Sequence, residues 1–474
     1  MVRSFVFPAL AAVLFVSEAR AAEPLSLEQA IREAWGQHPG LAAGAAQVDA
    51  ARAQAEAARA GHYPTLGVSA RALVTDEPMN AFGLKLDEQR ITAQDFNPAR
   101  LNAPSAIGGI GLGGSLTVPI YAGGRVTAGA SAAAAGAEAE SLSQERRQQE
   151  LALGVVRTYF AAQVAAEGLA HADDVLRHAQ ETERFVRQRN EKGLMLDSEV
   201  ARATAFRAQA EAERAGAAQR LESARSALAL LVGEGARGAE LTTPLEAGGG
   251  GEARKAAAPQ PSPRGGEGAA RSGNSGEPPS LSRAVGEGQG GGPLSGRPDL
   301  AAARAQAEAA HEAVTVAQGS LLPEVFAQGS VETMRSALDQ GATWFTAVLG
   351  ARWNLSLADR SEVKAARARA TAADRNVAWQ ERQATREVEE ADRAISTADA
   401  RVRSAEEAVA ASESARALRQ ARHREGLLPL TEVLDAEAGL AGARALLRAS
   451  RLDARVARAE RQLALGQPIE GVQP

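Results

Sequence analysis

Residues 125–190 read RVTAGASAAAAGAEAESLSQERRQQELALGVVRTYFAAQVAAEGLAHADDVLRHAQETERFVRQRN, and how this stretch folds decides the architecture. It holds 66 residues and no proline, inside a proline-free span from Ile120 to Thr243. Ala, Glu, Gln, Arg and Leu dominate, and these are strong helix formers. At 1.5 Å per residue one helix would run about 100 Å. Helices of globular domains average roughly three turns. Leu153, Val156, Phe160 and Val164 recur at steps of three and four, the helical period. They read as seams too narrow for one side of a compact core. Small residues between them favour close approach of neighbouring long rods. An ordinary extended coiled coil is the alternative for this stretch taken alone.

Outward from that rod, the chain repeats itself. His38-Pro39-Gly40-Leu41 opens a helix that runs to Tyr63-Pro64. Arg297-Pro298-Asp299-Leu300 opens another that runs to Leu322-Pro323, at an offset of 259. Arg189-Asn190-Glu191-Lys192-Gly193-Leu194 matches Arg422-His423-Arg424-Glu425-Gly426-Leu427 at an offset of 233, and Glu199-Val200 matches Glu432-Val433. The ordered repetition of Pro, Gly and Glu-Val sets this apart from chance alanine-rich similarity. The first structural repeat is assigned to 22–245 and the second to 297–466, with a C-terminal tail at 467–474. Residues 246–296, rich in Gly and Pro, read as a low-complexity linker that cannot bury a core.

Each repeat carries two runs that alternate with a period of two, at about 64–75 and 107–121, then 323–333 and 342–357. Leu66, Val68, Ala70, Ala72 and Val74 share one face of the first run. Leu112, Gly114, Leu116, Val118 and Ile120 share one face of the second. Val325, Ala327, Gly329 and Val331 do so in the third, and Phe345, Ala347, Leu349, Ala351, Trp353 and Leu355 in the fourth. Alternation over about ten residues suits a membrane barrel strand; a soluble hairpin packed on a helix is the alternative. Tyr121 and Trp353 stand at the helix-side ends, where an aromatic girdle would lie. Residues 75–106 read as a long polar connection and 334–341 as a short one. Four strands cannot close a barrel, and an open sheet edge in lipid costs several kcal/mol per unpaired backbone group. Closure therefore requires several chains, and three give twelve strands.

Composition removes other classes. Net charge is −5 with pI ≈ 5.9, against a nucleic-acid binder. There is no cysteine, which removes disulfides, thiol catalysis and thiolate metal sites. Met1–Ala21, with Arg3, an apolar centre from Phe5 to Val16 and Ala19-Arg20-Ala21, reads as a secretory signal. No later apolar run is long enough for a membrane helix. Gly109-Ile110-Gly111-Leu112-Gly113-Gly114 fits G-x-G-x-x-G, but strand follows it where a dinucleotide site needs a helix. His171 and His178 read as surface residues. No catalytic constellation, cofactor site or metal site is found, so no enzyme is expected.

The order of these elements resembles the TolC family of outer-membrane efflux proteins across the mature chain. The resemblance rests on Pro119-Ile120-Tyr121-Ala122-Gly123-Gly124-Arg125 at a strand-to-helix junction. It rests also on the turns Lys192-Gly193-Leu194 and Glu425-Gly426-Leu427, each followed by Glu-Val. Ala81-Phe82-Gly83-Leu84-Lys85-Leu86 with Asp95-Phe96-Asn97-Pro98 resembles a loop of many members. Leu357-Ala358-Asp359-Arg360 departs from the glycine-rich junction. The resemblance implies a mainly α chain with a membrane β-barrel: a homotrimer with a 12-stranded barrel, four strands per chain, continuous with a periplasmic helical tunnel. It implies a channel in outer-membrane lipid, with a periplasmic adaptor (membrane fusion protein) and an inner-membrane efflux pump or secretion ATPase as partners. The tips Gly193, Leu194, Gly426 and Leu427 would dock the adaptor. Glu432 and Asp435 would form the channel gate. Glu199 and Arg202 would neutralise each other, and Leu428 stands where the family has a basic tip residue. Arg422, His423 or Arg424 would then help close the tip. A periplasmic adaptor, or a structural coiled-coil or adhesin protein of the envelope, is the alternative function.

Overall fold

The computed structural model describes residues 24–245, 294 and 296–473, apart from 338, 339, 355 and 426. The signal sequence, nearly all of the 246–296 linker, Leu355 and Gly426 lie outside the described residues. The chain divides into two compact units. Two of the long helices, Arg125–Glu191 and Leu357–Arg424, contribute residues to both. Among the described residues no helix is long and apolar enough to cross a membrane.

One unit comprises Pro39–Arg147 and Gly290–Val388. Its helices α2 (Pro39–Ala60) and α7 (Pro298–Gly319) are both 22 residues long and start 259 residues apart, as the repeat requires. Proline stands at the first helical position of each, where a missing N–H costs nothing. Strands β2 (Thr65–Thr75), β3 (Ile107–Tyr121), β5 (Glu324–Ala337) and β6 (Gln340–Arg352) form one antiparallel sheet in the order β2-β3-β5-β6. The last two hairpin strands differ from the expected bounds. β5 runs past 333 to Ala337, and β6 runs from Gln340 to Arg352, short of 357, where helix α8 (Leu357–Arg424) begins. The 75–106 connection is not featureless. It holds α3 (Pro78–Asp87), a 3-10 turn at Ala93–Phe96 and α4 (Pro98–Asn102).

The other unit comprises Met1–His38, Gln148–Gln289 and Glu389–Pro474. It contains β1 (Pro24–Leu25), α1 (Leu27–Gln37), most of α5 (Arg125–Glu191), α6 (Asp197–Val232), β4 (Glu240–Leu241) and α9 (Leu430–Ala464). Here the expectation of narrow seams fails. Leu153, Val156 and Phe160 are buried in a compact core with Leu27, Ile31, Leu228, Val232 and Ile469. Each fully buried Leu, Ile or Phe contributes roughly 1.5–3 kcal/mol. The partners come from both chain ends and from α6, so that Ile469 meets Phe160 from about 300 residues further along the chain. Tyr159, fully buried beside Phe160, donates a hydrogen bond to the Leu25 carbonyl (2.7 Å) and accepts one from the Thr243 N–H (3.0 Å). It thereby fastens the parallel β1–β4 pair to the long helix. α1 starts at a capping box of Ser26 and Gln29. The tail after 466 enters this core: Ile469 and Val472 are buried, and Glu470 pairs with buried Arg455 at 2.7 Å.

Candidate functional site: a two-faced sheet and two helical tips

In an antiparallel sheet, directly opposed residues share a face. The register aligns Leu66 with Leu116, Val68 with Gly114, and Ala70 with Leu112. It continues Leu116 to Gly329 and Gly114 to Val331, then Val331 to Phe345 and Ala327 to Leu349. Within the paired strands, up to a register shift between Pro119 and Tyr121, the described members of the four alternating apolar sets therefore fall on one face. They are uncovered: Val68 is 84% and Phe345 82% exposed. The opposite face is polar, with rows such as Gly67–Ser115–Ser330–Thr346 and Ser69–Gly113–Glu332–Trp344. Arg71 reaches Glu332 on it at 3.3 Å. A sheet that exposes its apolar side and turns its polar side inward is built for lipid outside and water inside. Trp353, Tyr121 and Tyr63 are exposed near the helix-side ends.

The strand-to-helix junctions differ by chemistry. In the first, Gly123 and Gly124 have φ of 64° and 79°, which glycine tolerates best. A Cβ on Gly123 would lie 2.4 Å from the Gly319 carbonyl. Arg125, next in line, reaches Glu324 at 3.4 Å. The second junction replaces the glycines with a cap. Ser356 N–H donates to Asp359 (3.0 Å), and Ala358 N–H donates to Ser356 Oγ (3.1 Å). The departure at 357–360 thus has a local solution.

The turns at the far ends of α5 and α8 close alike. Leu194 N–H donates to the Arg189 carbonyl and Leu427 N–H to the Arg422 carbonyl, both at 2.9 Å. Gly193, at φ 72°, completes the first as a glycine-capped helix end. Leu194 and Leu427 project as apolar tips, 67% and 68% exposed. The flanks differ. Asn190 Nδ2 ties the first turn to Met195 O (3.0 Å) and Asp197 (2.9 Å), whereas His423 Nδ1 donates to Leu428 O (2.8 Å).

Around the gate candidates, Arg202 Nη1 lies 3.6 Å from Glu199. Glu432 is not alone on its helix face. Arg419 of α8 lies 3.6 Å from its carboxylate and donates to its carbonyl at 3.3 Å. Asp435 is exposed, as are Arg422 and Arg424. One turn on, Glu437 accepts from Gln420 at 2.8 Å, with Arg416 at 3.6 Å. Sequence reasoning missed Arg419 and Gln420, because only the α8–α9 pairing places them there. It missed also a small apolar knot: Val186 and Ala203 pack with Leu430, Met195, Val200 and Leu434, joining both hairpins beside the gate candidates. Glu183, on α5 above this knot, accepts from Arg187 and Thr204, both at 2.7 Å, and pairs with Arg207 at 2.9 Å. The hydrogen bond from Arg187 chiefly, then that from Thr204, holds its carboxyl below the usual range. His178 is exposed, but His171 is half-buried and its Nε2 has no partner among the described residues. Burial, then the Arg448 and Arg444 charges, lower its pKa. Among the described residues no group of three or more His, Asp or Glu could hold a metal ion.

A four-stranded sheet with one open apolar face, in a chain whose strands lead into helices of 67 and 68 residues, is the make-up of an outer-membrane channel subunit. The chain belongs to the family described as Outer membrane efflux protein, which matches residues 30–234 and 293–467. It is similar in structure to the outer membrane protein VceC of Vibrio cholerae, with TM-score 0.72, 21% identity, and 94% of this chain and 96% of that one covered. It resembles CusC, at TM-score 0.72 and 18% identity over 98% and 99% of the two chains. The MtrE channel of Neisseria gonorrhoeae matches at TM-score 0.69 and 20% identity over 96% and 91%. No curated protein matches by sequence. The family is one of channels, and the protein is an efflux channel of the outer membrane that extends into the periplasm.

Proposed function

We propose that three copies of the chain close a twelve-stranded barrel and a helical tunnel that carries solutes out of the cell. The observation that carries this is the sheet itself. Its edge strands β2 and β6 each lack a second partner among the described residues, and its apolar face is open. In lipid such edges must be paired, and pairing β2 of one copy with β6 of the next satisfies both. Efflux across two membranes then requires partners. A periplasmic adaptor meets the exposed Leu194 and Leu427 tips, and an inner-membrane efflux pump or secretion ATPase supplies the energy. Glu432 and Asp435 form the constriction at the narrow end, where rings of carboxylates favour cations. Asp435 contributes more of that charge, since Arg419 offsets Glu432. Membrane fractionation with a gel of unheated and heated samples tests the assembly. The expected result is outer-membrane protein that runs as a heat-sensitive trimer. A soluble periplasmic monomer would end the reading.

A further inference from the structure

The connection between β2 and β3 does not stand away from the sheet. α3 packs on β3 and β5. Its Ala81 and Leu84 are 1% and 3% exposed, in a cluster with Ile107, Met334 and half-buried Trp344. By the register, Ile107, Met334 and Trp344 all belong to the polar face, opposite to the apolar one. Gly109 of β3 is the floor of this seat. Buried Glu88, just beyond α3, lies so close to Gly109 that a Cβ there would be 2.5 Å from its Oε1. Leu84 would meet the same Cβ at 3.3 Å. The missing side chain at Gly109 thus admits the end of α3.

The segment is also braced internally. Asp95 accepts from Lys85 Nζ, Thr92 N and Thr92 Oγ1, each at 2.8 Å. Phe82 and Phe96 stack edge to face at 5.8 Å. Asn97 caps α4 by accepting from Ala99 N–H at 3.0 Å. A passive surface loop has no need of an apolar seat, a glycine floor and a buried carboxylate brace.

We infer that residues 76–106 form a stopper, docked on the channel-facing side of the sheet at its loop end, that sets the largest solute able to leave through the outer mouth. This rests on the barrel reading: three copies would project into one mouth. Docking through one apolar cluster lets the stopper lift without unfolding the strands.

The chain has no cysteine, so single-cysteine reporters are clean. Met334→Cys in intact cells should resist a membrane-impermeant maleimide added outside. Adding Leu84→Asp should speed labelling by about tenfold or more, as loss of local protection does. In planar bilayers, polyethylene glycols of graded size are added on the loop side of the purified trimer. Both Leu84→Asp and replacement of 79–104 by a short Gly-Ser linker should raise the size that enters and lowers conductance. Polymer added on the other side should show an unchanged cut-off. Rapid labelling of Met334→Cys alone, or a loop-side cut-off unmoved in both variants, overturns the stopper. Failure of the parent chain to insert as a conducting trimer overturns the barrel reading instead, so the two failures are separate.

Discussion

Replacing Arg419 with alanine isolates one contact of the second tip. Arg419 holds the start of α9 through the Glu432 carboxylate at 3.6 Å and its carbonyl at 3.3 Å. The two side chains are 40% and 45% exposed, so water screens the pair. Such exposed pairs contribute about 0.2–1 kcal/mol. If three tips open together, the losses sum to roughly 0.6–3 kcal/mol, or about 3- to 150-fold in the ratio of open to closed channels. The same change leaves Glu432 without its positive neighbour, so cation preference should rise. Glu432→Gln should lower it. Single-channel recording on purified trimer reads both quantities, and Arg419→Lys, which keeps the charge, should recover most of each. A double-mutant cycle with Glu432→Ala should show coupling. The reasoning is refuted if Arg419→Ala leaves open probability and ion preference at their parent values.

Glu432→Gln with Asp435→Asn should cut cation preference and relieve block by multivalent cations, while Glu199→Gln, paired to Arg202, does neither in the same recordings. Leu194→Asp with Leu427→Asp should abolish efflux in a cell assay while gels still show trimer; undiminished efflux would remove docking from these tips. Tyr159→Phe orphans the part-buried Thr243 N–H and should cost about 1–3 kcal/mol, visible as a lower melting temperature; an unchanged melt would mean that water replaces the hydroxyl. Hydrogen bonds from Lys85 and Thr92 bring Asp95 down to about 2, below its unfolded value of roughly 3.9. Its contribution is therefore fully present above the unfolded value and is lost as pH falls through the folded one. Pepsin should cut 76–106 of purified trimer little at pH near 4 and faster toward 2, whereas Asp95→Asn should be cut readily at both.

What the sequence made legible was whatever recurs. The 22-residue helices at Pro39 and Pro298, the apolar alternation of four strands, and the paired Gly-Leu turns all announce themselves by spacing. What stayed hidden depends on distant partners. The periodic Leu153, Val156 and Phe160 are plain in the chain, but their core is supplied by Ile31, Leu228 and Ile469, which no local pattern links to them. The β1–β4 pair is two residues long on each side, too short for any period. Arg419 sits on a different helix from Glu432 and becomes its neighbour only when α8 and α9 pair. α3 was within reach: Pro78 at its start, with Ala81 and Leu84 three apart, is a short amphipathic signal inside a stretch read as polar connection.

The two helical turns carry a consequence for symmetry. Three chains would present six tips, each with one leucine equally bare at its crest. To a partner that grips only those leucines, the rim is nearly sixfold, and six copies can bind in equivalent ways. The polar flanks repeat only three times, because Asn190 with Asp197 braces one kind of turn and His423 braces the other. A partner that reads those flanks must bind as three, or as six in two alternating postures. In a trimer, the number of partner copies bound at these tips would thus be set by whether the partner senses oil or hydrogen bonds.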